Sequence, residues 1–212
     1  MTTATFDVVR AGAPLEAARA AAVLIHGRGA TAEGMLALGG AFGAKDVALI
    51  APQAPARSWY PQSFLAPLTE NEPHLSQALG IVGETVDALA GQGLGPERVI
   101  LIGFSQGACL ALEYAARTAR RYGGVAGLSG GLIGPPGTPR AYPGSLGGTP
   151  VFLGCSDVDA HIPEARVHES ADVLTALGGT VTMRIYPGMA HTIVDDEIRH
   201  VRSLIEALPP RA

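Results

Sequence analysis

Seven short apolar runs recur along the chain, and the stretches between them carry their apolar positions at helical spacing. The runs are Thr5 to Val9, Ala20 to His26, Val47 to Ala51, Arg98 to Gly103, Val125 to Leu128, Val151 to Cys155 and Val181 to Tyr186. Most are continuously apolar. That pattern suits strands covered on both faces, as in a parallel sheet between two helix layers. Helices are expected over Ala32 to Gly43, His74 to Ala90, Gln106 to Arg120, Pro163 to Leu177 and Val194 to Leu208. Thr31 offers a start to the first, and Gly43, Gly178 and Gly179 offer stops. Asp195, Asp196 and Glu197 put negative charge in the last helix's first turn, where the helix dipole favours it. Two long segments, Gln53 to Pro73 and Gly130 to Pro150, fit neither period. The first carries Trp59, Tyr60, Phe64 and Leu65, and loops this long in a compact domain are often functional.

Composition narrows the class. With 212 residues, 47% hydrophobic and 16% charged, the chain has the material for one buried core, so residues 1–212 are expected to form a single α/β domain. A net charge of −4, with no cluster of Lys and Arg, argues against a nucleic-acid partner. The first ten residues lack a basic segment followed by an apolar one, and Ala17 to Ile25 is too short to span a bilayer, so stable membrane insertion is not expected. Cys109 and Cys155 make neither a disulfide framework nor a metal-type pair, which points to two buried thiols in a reducing, cytoplasmic setting. No metal or cofactor is implied.

Chemistry enters at Gly103-Phe104-Ser105-Gln106-Gly107, a Gly-x-Ser-x-Gly placed directly after a strand pattern and before a helical one. A serine at such a turn needs a strained backbone to lift its hydroxyl clear of the sheet. Gly103 and Gly107 lack the Cβ atoms that would crowd it. A hydroxyl is a weak nucleophile and needs a base within hydrogen-bond reach, itself held in one tautomer by a third group. In this architecture the order is serine, acid, histidine, each at the carboxyl end of a strand. Two carboxylates, Asp157 and Asp159, follow the strand ending at Cys155. Of the four histidines after Ser105, His168 and His200 fall within helical periods, and His161 shares the loop of Asp159. His191 follows the last strand through Pro187 to Ala190 and precedes the final helix, where the base belongs. The loop His26-Gly27-Arg28-Gly29 follows an early strand. Its Arg28 amide, with that of Gln106, would supply the two N–H groups that an oxyanion requires. The Arg28 side chain is either a surface charge or a contact for an anionic part of a substrate, and His26 is expected to shape its loop.

Together, His26-Gly27-Arg28-Gly29, Gly103-Phe104-Ser105-Gln106-Gly107-Ala108, Asp159-Ala160-His161-Ile162-Pro163 and Tyr186-Pro187-Gly188-Met189-Ala190-His191 resemble the carboxylesterase/phospholipase family that includes the acyl-protein thioesterases. The resemblance implies an α/β-hydrolase fold without a cap domain and a serine carboxylesterase acting on short- to medium-chain esters. It also implies an acid three residues before the Ile of the Ile-Pro pair, which selects Asp159. Ser105, Asp159 and His191 are then the expected triad, with Arg28 and Gln106 as oxyanion donors. Ser58-Trp59-Tyr60 is similar to a Ser-Trp-aromatic loop that lines the acyl pocket in that family, so Trp59, Tyr60, Phe64 and Leu65 are expected to form a pocket wall. Two departures flank the site: Ala30 stands where the family commonly has Asp, and Cys155-Ser156 where it has His-Gly. Both bear on substrate rather than on the triad. A thioesterase, lysophospholipase or lactone hydrolase would use the same residues on another small-molecule substrate, and a silent binding module would keep the fold without the chemistry.

Overall fold

The computed structural model describes residues 6–43 and 45–210. Seven strands form one sheet: β1 (Val8–Gly12), β2 (Ala20–Ile25), β3 (Val47–Pro52), β4 (Val99–Phe104), β5 (Gly124–Leu128), β6 (Pro150–Ser156) and β7 (Thr180–Tyr186), in the order β1-β3-β2-β4-β5-β6-β7. All neighbours are parallel except β1, which runs antiparallel to β3 at the edge. The helices are α1 (Ala32–Gly40), α2 (Leu68–Asn71), α3 (His74–Ala90), α4 (Gln106–Arg117), α5 (Glu164–Ala176) and α6 (Asp195–Glu206).

The continuous apolar runs are explained by two cores, one on each face of the sheet. Along β2, Ala21, Val23 and Ile25 pack into the core shared with α3, α4 and α5. Ala20, Ala22 and Leu24 pack into the core shared with Met35 of α1 and with Val201 and Ile205 of α6. Side chains alternate across a strand, so a strand apolar on both faces has no polar beat. Among the described residues no cap domain covers the strand ends, and no helix is long and apolar enough to cross a membrane.

The first strand departs from expectation. It runs from Val8 to Gly12 rather than from Thr5 to Val9, and Thr5 lies outside the described residues. Of the two loops, Gln53 to Pro73 contains α2 and a short turn at Pro55–Arg57. The other has no helix and is held instead by buried charge. Arg166 donates from Nη1 to Leu132 O (2.7 Å) and Gly134 O (2.6 Å), Arg140 donates to Ile133 O (2.7 Å), and the buried Glu113 carboxylate accepts from Ile133 N–H (3.0 Å) and Tyr142 O–H.

Candidate active site

The parallel strands end on one side of the sheet, and the loops there carry the reactive groups. Ser105 joins β4 to α4 with φ of +55°, a conformation that L residues rarely hold unless the surroundings enforce it. The enforcement is steric. A Cβ on Gly103 would run into the Gly107 carbonyl, and one on Gly107 into the Ile25 and His26 carbonyls, so the turn closes only with glycine at both places. Asp159 follows β6 and His191 follows β7.

These three residues form one hydrogen-bonded chain. Ser105 Oγ lies 2.8 Å from His191 Nε2, and His191 Nδ1 lies 2.7 Å from Asp159 Oδ2. A carboxylate beside Nδ1 selects the tautomer with the proton there, which leaves Nε2 to accept from the serine hydroxyl. The other carboxylate oxygen, Oδ1, accepts from the His161 (2.8 Å) and Ile162 (3.1 Å) amides. Burial alone would raise the Asp159 pKa; the His191 hydrogen bond and the two amides outweigh it and hold the carboxyl below its ordinary value. The group is therefore ionised at neutral pH.

Asp157 has a different task. Its Oδ1 accepts from Gly188 N–H (2.8 Å), which pins the turn leading to His191. His161 stands edge-on to His191 with ring centroids 4.9 Å apart, while His168 and His200 sit on α5 and α6 beside Glu164 and Asp196. Both thiols are buried and unpaired. Burial pushes each to about 12, with the Asp159 charge adding to the shift at Cys155, so neither is a thiolate at neutral pH.

A cleft of about 490 Å³ opens over Ser105. Tyr60, Phe64, Phe104, Cys109 and Ile162 supply apolar lining; Arg28, Gln62, Ser63, Gln106 and His161 supply polar lining. Neither the Arg28 nor the Gln106 amide N–H is engaged by another described residue. Their side chains fasten the adjoining loop. Gln106 Oε1 accepts from Trp59 N–H (3.0 Å) and its Nε2 donates to Tyr60 O (2.8 Å), while Arg28 donates to Ser58 Oγ, Pro61 O and Gln62 O. His26 is buried. Its Nδ1–H donates to Gly27 O (2.7 Å) and its Nε2 accepts from Ala54 N–H and Gln53 Nε2, so burial lowers its pKa and keeps it neutral as a loop anchor.

The expected aromatic wall is corrected in part. Tyr60 and Phe64 line the cleft, but Trp59 and Leu65 do not. The Trp59 indole is buried beneath the loop, donating from Nε1 to His26 O (2.8 Å), and Leu65 packs against the core. Trp59→Ala is accordingly expected to lower stability by about 3–5 kcal/mol, the usual cost of emptying a large buried aromatic site. Esterase activity should fall by a similar factor on every acyl length; a loss confined to longer chains, with an unchanged melting temperature, would restore Trp59 to the pocket.

Sequence patterns missed one further group. Glu197, in the first turn of α6, is fully buried; its Oε2 accepts from Val194 N–H (2.9 Å), Oε1 has no partner, and a Cβ on Gly154 would collide with it. Burial raises this carboxyl from 4.5 to about 7, against the opposing Val194 hydrogen bond. A carboxyl whose folded pKa lies above its unfolded value costs stability as pH rises between those values, here roughly 3 kcal/mol at full ionisation. Glu197→Gln should flatten the wild-type fall in melting temperature between pH 4.5 and 7. Parallel curves for the two proteins would show that Glu197 does not titrate there.

A seven-stranded, mostly parallel sheet with a serine, histidine and aspartate at its strand ends defines the class: a hydrolase of the α/β-hydrolase fold. The chain belongs to the phospholipase/carboxylesterase family, whose model matches residues 7–208. It is 27% identical to acyl-protein thioesterase 1 of Saccharomyces cerevisiae over 93% of this chain and 96% of that one. It is 33% identical to acyl-protein thioesterase 1 of Gibberella zeae over 56% of this chain and 52% of that one. The crystal structure of a phospholipase/carboxylesterase from Dyadobacter fermentans superposes with a TM-score of 0.92, at 42% identity over 97% of this chain and 99% of that one.

Proposed function

We propose that the chain is a one-domain serine carboxylesterase acting on short- to medium-chain esters, by way of an acyl-enzyme. The observation that carries the reading is the Ser105–His191–Asp159 hydrogen-bonded chain at the floor of an open cleft, beside two amides that no other described residue engages. Ser105 Oγ attacks the ester carbonyl as His191 Nε2 takes its proton. The carbonyl oxygen, now an anion, accepts from the Arg28 and Gln106 N–H groups. His191 then protonates the departing alkoxide, and the alcohol leaves an ester on Ser105. Water enters, gives its proton to His191 and attacks the same carbonyl; the proton returns to Ser105 as the carboxylic acid departs. Asp159 stays ionised and balances the transient imidazolium. Two buried thiols suit a reducing, cytoplasmic setting.

The cleft sets the chain-length expectation. Tyr60 and Phe64 give an acyl chain a few contacts at about 0.8 kcal/mol per covered methylene, and beyond them an uncapped chain meets water. Against p-nitrophenyl esters, kcat/KM should rise from acetate to chains of about four to eight carbons and then decline. A maximum at the longest chains would overturn this reading. Thioesters form a second reading, favoured by relatives named acyl-protein thioesterase, and an acyl-CoA assayed beside the esters decides between them. Fluorophosphonate labelling of Ser105 separates either enzyme from a silent binding module.

A further inference from the structure

We propose that the Arg28 guanidinium is a carboxylate-binding subsite on the acyl side of the cleft, making short dicarboxylic acid monoesters or monothioesters the preferred substrates. The inference rests on the hydrolase reading above and narrows its substrate class.

Among the described residues, Arg28 is the only Lys, Arg, Asp or Glu that lines the cleft. Its hydrogen bonds, to Ser58 Oγ (3.1 Å), Pro61 O (2.8 Å) and Gln62 O (2.7 Å), all go to uncharged acceptors. None of the ion pairs among the described residues includes it. The cation is thus held in place without being neutralised. Arginine carries five N–H donors in a planar fork. Nη1 donates twice and Nη2 once, which leaves, among the described residues, the Nε–H and one Nη2–H to donate to a carboxylate. Three fixed bonds also mean that little side-chain entropy remains to be lost when an anion binds.

Sheet order decides which half of the substrate meets this charge. Arg28 follows β2 and Ser105 follows β4, whereas Asp159 and His191 follow β6 and β7, so Arg28 and His191 flank the serine from opposite sides. The imidazole must hand its proton to the leaving oxygen, which places the alcohol or thiol half on the His191 flank, where His161 also lies. The acyl half then extends along the segment Arg28 grips, Pro61 to Phe64. A carboxylate at the far end of a short acyl chain meets the guanidinium there.

The test compares ethyl pentanoate with monoethyl glutarate, whose five-carbon acyl groups differ in a terminal carboxylate, by following acid release at constant pH. The quantity read is the ratio of the two kcat/KM values. This cancels any general loss in a variant whose main-chain amide belongs to the proposed oxyanion site. In the wild type the ratio should favour the glutarate by about tenfold or more, and fall as salt is added. Arg28→Gln should bring it to near or below unity, and Arg28→Lys should leave it between. A wild type that prefers the pentanoate, or an Arg28→Gln ratio equal to the wild-type one, would overturn the proposal. So would an anion preference found only in the alcohol half, seen as 4-acetoxybenzoate over phenyl acetate. Wild-type turnover of neither ester, or turnover that survives Ser105→Ala, would sink the hydrolase reading itself.

Discussion

Ser105→Ala and His191→Ala are each expected to lower kcat/KM on a short p-nitrophenyl ester by about 10⁴ or more, with the melting temperature nearly unchanged in the first and lowered by a few degrees in the second. Ser105 Oγ bonds only to His191 Nε2 among the described residues, so Ser105→Ala removes the proposed attacking atom at little cost to the fold, whereas His191→Ala removes the proposed base and also takes from the buried Asp159 carboxylate its Nδ1 partner. The double variant should be about as inactive as either single one, because the groups act as a unit. The adjoining carboxylates separate sharply. Asp159→Asn keeps the shape but turns one acceptor into a donor facing Nδ1, which favours the wrong histidine tautomer and should cost about 10³ to 10⁴. Asp157→Asn keeps an acceptor for Gly188 N–H and should stay within about threefold of wild type. Severe loss in Asp157→Asn with near-normal Asp159→Asn would reverse the assignment.

How much of this was legible in the chain depends on whether a residue's surroundings impose a period. Strands β2 to β6 fall within a residue or so of the apolar runs because both faces of each are covered, and β7, at the far edge, is marked instead by the alternation of exposed Thr180, Thr182 and Arg184 with half-buried Val181, Met183 and Ile185. Strand β1 is displaced because it is an edge strand with exposed residues from Arg10 to Gly12, where nothing forces the pattern. Helix α4 stops at Arg117 rather than Arg120, where Thr118 leaves the helical region with φ of −113° and ψ of +40° and the chain turns to bury Tyr122. The serine turn was readable because its glycines answer a local steric demand. Irregular loops impose no period, and there the reading failed: nothing in Ser58-Trp59-Tyr60 tells which ring faces the cleft and which goes beneath it. The charges that hold the 130–150 loop were equally hidden, since Glu113 and Arg166 lie 20 and 34 positions from the Ile133 and Leu132 groups they bind. Glu197 looked like an ordinary first-turn acid. Only the absence of a side chain at Gly154 leaves room for it underneath the sheet end.

The same close approach that exposes the serine makes the molecule fragile at one methyl group. Gly107→Ala would place a Cβ against the backbone carbonyls of Ile25 and His26, groups with no rotamer to escape into. Either α4 lifts from the sheet or the end of β2 moves aside. Helix α4 is buried along almost its whole length, so lifting it opens the larger core. The expected cost exceeds about 4 kcal/mol, in the range reserved for overpacked rigid sites and a large part of a typical domain's ~5–15 kcal/mol. The melting temperature should fall by roughly 10 °C or more if the variant can be isolated at all. Activity should fall further than stability, because the displaced backbone leads directly into Gly27 and the Arg28 amide. Gly80→Ala is the matched control. It makes the same chemical change inside α3, where the new Cβ meets nothing within 4 Å, and should stabilise by about 0.5–1 kcal/mol through helix propensity alone. Thermal unfolding of both variants beside wild type reads the two signs together. A Gly107→Ala protein melting within two or three degrees of wild type would mean that the strand-to-helix turn yields far more easily than its backbone contacts imply.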